Sequence, residues 1–120
     1  MIFLVEDNDA VRHLARIALQ RCGYRVVDAG DGEEALRLLR DYDGPVHLLV
    51  SDIVMPKIGG RELARLVDAI RPGVKVLYLS GYTDDAVLRL GIVDAELNFL
   101  QKPFSPATLA AAVRRVLDRA

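Results

Sequence analysis

The stretch His47-Leu48-Leu49-Val50-Ser51-Asp52-Ile53-Val54-Met55-Pro56 decides the fold. Its apolar residues are consecutive rather than alternating, and the run is too short for a helix, so residues 47–51 predict a strand covered on both faces. A strand of that kind belongs at the centre of a parallel sheet. It ends at Asp52, an acid that is costly after so apolar a run unless it is solvated or has a partner.

Working outward, short apolar runs alternate with segments of helical period, five of each, which predicts a parallel sheet with helices on both faces. Ile2 to Val5 is the first strand. Val11, Leu14, Ala15, Ala18, Leu19 and Cys22 mark the inner face of a first helix that starts at Asn8 or Asp9 and stops at Gly23. Arg25 to Asp28 form a second strand, Gly30-Asp31-Gly32 a turn, and Ala35, Leu36 and Leu39 the face of a second helix. Asp41 to Pro45 and Met55 to Gly60 are loops on either side of the central strand. Leu63, Leu66, Val67 and Ile70 predict a third helix ended by Pro72-Gly73, and Val74 to Leu79 a fourth strand leading to Ser80. A weaker helix is expected over Thr83 to Leu90, followed by a mobile stretch from Gly91 to Glu96. Leu97 to Leu100 form a fifth strand. Ser105 then caps a last helix with Pro106 at its first position and Leu109, Ala112, Val113, Val116 and Leu117 facing inward.

The chain has 120 residues, 52% of them hydrophobic, which suits a single domain spanning 1–120. Sixteen basic against seventeen acidic residues give a formal charge of −1, so no global field draws it to nucleic acid or membrane. The single cysteine, Cys22, has no internal disulfide partner, consistent with a reducing compartment. The apolar start is too short for a secretion signal and nothing approaches a membrane span, so a cytoplasmic location is expected.

In an open parallel sheet the functional crevice lies beyond the carboxyl ends of the strands. Glu6 and Asp7, Asp52, Ser80 and Lys102 all fall there. Clustered carboxylates repel unless a cation sits among them, and hard oxygen ligands suit magnesium. A metal and a lysine together would neutralise a transferring phosphoryl group, with Asp52 as its acceptor and the Ser80 hydroxyl as a hydrogen-bond donor. Plainer readings exist for each residue alone. Glu6, Asp7 and Asp9 also suit a solvated helix N-terminus, Ser80-Gly81 a turn, Lys102 an exposed lysine and Phe99 the core. His13, His47 and Cys22 are read as structural or exposed.

Glu6-Asp7, Asp52 followed by Ile-Val-Met-Pro and a Gly-Gly turn, Ser80-Gly81-Tyr82 and Lys102-Pro103-Phe104 together resemble the receiver domain of two-component response regulators, over Ile2 to Leu117. The resemblance implies a flavodoxin-like (βα)5 fold, a doubly wound α/β structure with five parallel strands in the order 2-1-3-4-5. It implies Asp52 as phosphoacceptor and Mg2+ held by Asp52, by the Val54 main-chain carbonyl and, directly or through water, by Glu6 and Asp7. It also implies Lys102 as phosphate-binding lysine, Ser80 and Phe99 as a switch pair, and a cis bond before Pro103. The output would run through the fourth strand, the following helix and the fifth strand. The implied partner is a histidine kinase or histidine phosphotransfer domain, and a phosphorylation-dependent homodimer is compatible with it. Such a module promotes its own phosphorylation and dephosphorylation without turning over an external substrate.

Two positions depart from the family pattern. Glu6 replaces the commoner aspartate, extending the carboxylate by one methylene, and Phe99 stands where tyrosine is frequent. The segments around Ser80 and Lys102 look most like the receiver at the carboxyl end of hybrid sensor histidine kinases, with a stand-alone response regulator as the alternative. A haloacid dehalogenase-type phosphatase would need a second acid where Val54 stands. A flavin carrier would need a phosphate cradle where Glu6-Asp7-Asn8-Asp9 is repulsive. A docking module that is never phosphorylated would have no use for the full set of acids, Ser80 and Lys102. A DNA-binding role is not expected of this chain.

Overall fold

A computed structural model describes residues 1–81 and 98–119. Five strands form one parallel sheet in the order β2-β1-β3-β4-β5: β1 Ile2–Val5, β2 Val26–Ala29, β3 Leu48–Asp52, β4 Lys75–Ser80 and β5 Phe99–Gln101. Among the described residues four helices cover it: α1 Asp9–Arg21, α2 Gly32–Asp41, α3 Gly60–Ile70 and α4 Pro106–Leu117. The expected helix over Thr83 to Leu90 and mobile stretch over Gly91 to Glu96 lie outside the described residues.

Alternation along the strands divides the core in two. Ile2, Leu4, Leu48, Val50, Leu77 and Leu79 pack beneath α1 and α4 with Leu19, Leu109, Val113 and Val116. Phe3, Val5 and Leu49 face the other way, toward Ala35, Leu39, Leu63 and Val67 of α2 and α3. A strand that feeds two cores has no polar face, which is why β3 reads as an unbroken apolar run.

Local chemistry sets the helix ends. The Asn8 side chain accepts from Val11 N–H at 3.0 Å, Asp31 from Glu34 N–H at 2.8 Å, and Ser105 from Thr108 N–H at 3.0 Å. Helix α1 closes with Tyr24 N–H on Leu19 O and Gly23 N–H on Gln20 O, a pair of hydrogen bonds that goes with Gly23 at φ +92°. Asp31 is thus a helix cap and Gly32 the first helical residue, where the sequence pattern indicated a turn.

Most strands begin or end a residue later than their apolar runs. Strand β2 runs to Ala29 because Val5 pairs with Ala29, while Arg25 stays outside and accepts Ile2 N–H on its carbonyl. Asp52 is itself the last residue of β3, paired with Leu79. Strand β4 is Lys75–Ser80 rather than Val74–Leu79, and β5 is Phe99–Gln101, the expected start at Leu97 lying outside the described residues. Two inward assignments on the first helix fail. Leu14 is 63% exposed, because Ala15, Ala18 and Leu19 already fill the contact with the sheet. Cys22 is exposed, because it stands at the C-cap, where the helical phase has ended.

Gly60 marks the tightest approach. A Cβ there would lie 2.0 Å from the Asp52 carbonyl oxygen, and its own N–H donates to Ile53 O at 2.7 Å. The start of α3 is therefore pressed against the backbone that carries Asp52. Gly60→Ala is expected to cost about 3 kcal/mol or more of folding stability, since backbone must move to admit the methyl. Urea unfolding checks this, and a change below about 0.5 kcal/mol, the scale of an ordinary surface substitution, would contradict it.

Candidate functional site

The register brings the polar residues to one edge. Val5 pairs with Ser51, Ser51 with Tyr78 and Tyr78 with Phe99, so the next row carries Glu6, Asp52, Leu79 and Leu100. Lys102 lies two residues past that row, anchored by its N–H on Ser80 O at 2.7 Å. Its stem passes over Gly81, where a Cβ would lie 3.5 Å from Lys102 Cδ. A long side chain can therefore reach back across the end of β4 to the acids on β1 and β3. The bond between Lys102 and Pro103 is cis, as the resemblance implies.

A cavity of about 290 Å³ opens at this edge, lined by Glu6, Asp7, Asn8, Asp52, Val54, Leu79, Gly81 and Lys102. Glu6 is fully buried at 0% exposure and Asp52 nearly so at 3%, whereas Asp7 is exposed. Lys102 Nζ lies 2.5 Å from Asp52 Oδ1 and 2.7 Å from Glu6 Oε2, and donates to Glu6 Oε1 at 2.9 Å. Asn8 N–H also donates to Glu6 Oε1, at 3.1 Å. The additional methylene of glutamate carries the carboxylate inward to the lysine, the role that the departure at Glu6 plays here.

Burial, then the neighbouring Glu6 carboxyl, push the Asp52 pKa up to about 8, and Lys102 only partly opposes them. Burial works against the Lys102 charge, but the bonds and charges of Asp52 and Glu6 outweigh it and its pKa is raised. Ligand oxygens of Glu6, Asp7 and Asp52 all lie within 4.8 Å of one another. Glu6 Oε2 and Asp52 Oδ1 are buried without a hydrogen bond from any described residue, although the ammonium is within ion-pair distance of both. Three carboxylates against one ammonium leave two negative charges when all are ionised, which a divalent cation would balance. The donor set fits a hard, oxygen-seeking ion such as magnesium.

Of the residues singled out from the sequence, Glu6, Asp7, Asp52, Val54 and Lys102 meet around the cavity. Ser80 does not join its lining; it is buried at the last position of β4, on the same face as Tyr78 and Phe99. Phe99 is half-buried and packs on Tyr78 with ring centroids 6.2 Å apart. His13, His47 and Cys22 are exposed and away from the acids. Asn8 and Gly60 were read from the sequence as a helix start and a turn residue, not as neighbours of the site, and Arg12, whose Nη1 donates to the Glu6 carbonyl at 2.8 Å, was not singled out at all. The legible sign of Arg12 was a cation near a helix N-terminus, where the helix dipole disfavours it.

A second, apolar groove of about 420 Å³ adjoins the cavity and shares Gly81 and Lys102 with it. Val11, Leu14 and Ala18 of α1 form one wall and Pro103, Phe104 and Pro106 the other. The exposed Leu14 thus stands at the rim of an apolar surface beside the acids.

A family model described as the response regulator receiver domain matches residues 2–114. Among curated proteins, the sensor kinase CckA of Brucella abortus is 42% identical over 118 residues, covering 98% of this chain and 12% of the kinase. The receiver protein CpdR of the same organism is 32% identical, covering 97% of this chain and 95% of CpdR. The chain spans about half the length of two further relatives, at 51% and 48%. Among solved structures, the receiver domain of the hybrid histidine kinase CckA superposes with a TM-score of 0.80 at 37% identity, covering 98% of each chain.

The raised pKa of Asp52 has a stability consequence in the metal-free domain. Unfolded, the group loses its proton near about pH 4; folded, it holds it to about 8. Its contribution is therefore complete below about pH 4 and is lost as pH rises through about 8. Asp52→Asn is expected to become progressively more stable than wild type across that window, read from urea midpoints at several pH values in chelator. Parallel profiles for the two proteins would contradict the assignment.

Proposed function

Since the chain belongs to the response regulator receiver domain family, we propose that it is a magnesium-dependent phosphoacceptor switch that takes a phosphoryl group from a partner phosphohistidine onto Asp52. The observation that carries this reading is Asp52 itself: an acid ending the central strand, buried, and paired to a lysine that could neutralise an incoming anion. Glu6, Asp7, Asp52 and the Val54 main-chain carbonyl would hold the metal. When bound, magnesium supplies positive charge that favours ionised Asp52 and neutralises oxygens of the transferring group.

The side chains then have distinct tasks. An Asp52 carboxylate oxygen attacks phosphorus in line with the donor imidazole, which already carries a proton on its other ring nitrogen; the P–N bond breaks as the O–P bond forms, and the imidazole keeps the electron pair and leaves neutral. Lys102, already between Glu6 and Asp52, is placed to transfer one of its contacts to a phosphoryl oxygen. Ser80, outside the cavity lining, would have to turn its hydroxyl inward to reach another oxygen, and Phe99 on the same sheet face is positioned to repack with it. State-dependent contacts of this kind let phosphorylation select between two arrangements of the edge around β4 and β5.

The apolar groove beside Lys102 suits a protein donor, because a phosphohistidine aimed at Asp52 brings its own surface against Leu14, Pro103 and Phe104. The 42% identity to the CckA kinase over nearly the whole chain favours a place in a hybrid sensor kinase, with the cytoplasm as its compartment. No helix among the described residues is long and apolar enough to cross a membrane.

Intact mass after incubation with a small-molecule phosphodonor tests the reading. The expected result is one phosphoryl adduct that needs magnesium and is absent from Asp52→Ala; an adduct retained by Asp52→Ala would contradict it. Leu14→Arg should slow transfer from a phosphorylated protein donor about 10-fold, the loss of one buried contact, and leave small-molecule phosphorylation unchanged. Equal slowing with both donors would place the effect at Asp52 rather than at docking.

A further inference from the structure

Arg12 lines neither cavity, yet its side chain reaches the backbone of the turn that carries the acids. Its guanidinium uses all three nitrogens. Nη1 donates to the Glu6 carbonyl at 2.8 Å, Nη2 to Asp9 Oδ1 at 2.6 Å, and Nε lies 3.3 Å from Asp28 Oδ2. It thereby ties the β1–α1 turn to β2. A cation in the first turns of a helix opposes the dipole, so these contacts must outweigh a local cost.

The peptide around Glu6 is held from both sides. Its N–H donates to Ala29 O at 3.1 Å and its carbonyl receives Arg12, so the buried side chain leaves the backbone in a fixed direction toward Lys102. Asp7, next in sequence, shares that peptide. The guanidinium lies close against Gly30, where a Cβ would be 3.2 Å from Arg12 Nη1.

We propose that Arg12 is a positioning residue, holding the Glu6-Asp7 turn in the arrangement a divalent cation requires while touching neither cation nor phosphoryl group. The inference rests on the metal reading above. Charge and positioning act here with opposite sign. Removing a positive charge near the acids strengthens their attraction for a cation, whereas releasing the turn weakens it. Loss of groups that orient metal ligands typically costs about 10-fold or more in affinity.

Magnesium dissociation constants from amide NMR titration of the whole chain distinguish the two, using wild type, Arg12→Gln and Arg16→Gln. Arg16 also pairs with Asp28, at 3.8 Å, but has no bond to Glu6. Positioning predicts binding about 10-fold weaker in Arg12→Gln, and unchanged or tighter in Arg16→Gln. Arg12→Lys, which keeps the charge but cannot reach the Glu6 carbonyl, Asp9 and Asp28 together, should weaken binding in the same direction and serves if Arg12→Gln does not fold. Wild-type or tighter affinity in folded Arg12→Gln overturns the proposal. Equal weakening in Arg16→Gln, or wild-type affinity in Arg12→Lys, does the same. Wild type that binds no magnesium overturns the metal reading, and the proposal with it.

Discussion

The Lys102 ammonium held between Glu6 and Asp52 is the interaction on which the site depends. Two carboxylates buried at neighbouring strand ends are unfavourable without a cation, and removing one side of such a group costs about 3–5 kcal/mol. One lysine does not satisfy three acids. The surplus negative charge and the two oxygens without a hydrogen bond from any described residue would make the edge receptive to a further cation and, through Lys102, to an anion.

The rest of the fold supplies the geometry. Register places Glu6 beside Asp52, the lack of a side chain at Gly60 lets α3 close against the Asp52 backbone, and Gly81 leaves a path for the lysine stem. The two cores on either side of the sheet make β1, β3 and β4 rigid, so the acids sit on elements that have little freedom to relax away from one another. The apolar groove along α1 shares Lys102 with the cavity, which links the surface a donor would touch to the group it would modify.

Much of this was legible in the residues. The unbroken run from Leu48 to Val50 announces a doubly covered strand, Asn8 and Ser105 announce helix starts, and the five polar residues fall at strand ends by simple counting. Strand order is different. It depends on which strands pair, which periodicity does not encode, and it came through the family resemblance and stands in the structure as 2-1-3-4-5. Errors of one residue at strand ends arise because pairing with neighbours, not apolarity, ends a strand, as Ala29 shows. Leu14 was misplaced because an apolar residue at helical spacing fits a groove at the surface as well as a core.

At the site, residue type and position were readable and orientation was not. Nothing in a Glu-for-Asp departure announces that the longer side chain is wholly buried and bonded to Lys102, or that Ser80 stays out of the cavity lining. Those outcomes follow from side-chain reach and packing across strands distant in sequence. The most direct test of the account is a double-mutant cycle between Glu6 and Lys102, from urea unfolding of Glu6→Gln, Lys102→Met and the double variant without metal. A favourable coupling of about 1 kcal/mol or more is predicted for a part-buried, hydrogen-bonded ion pair; additive effects would contradict the claim that Lys102 is the cation on which the buried acids depend.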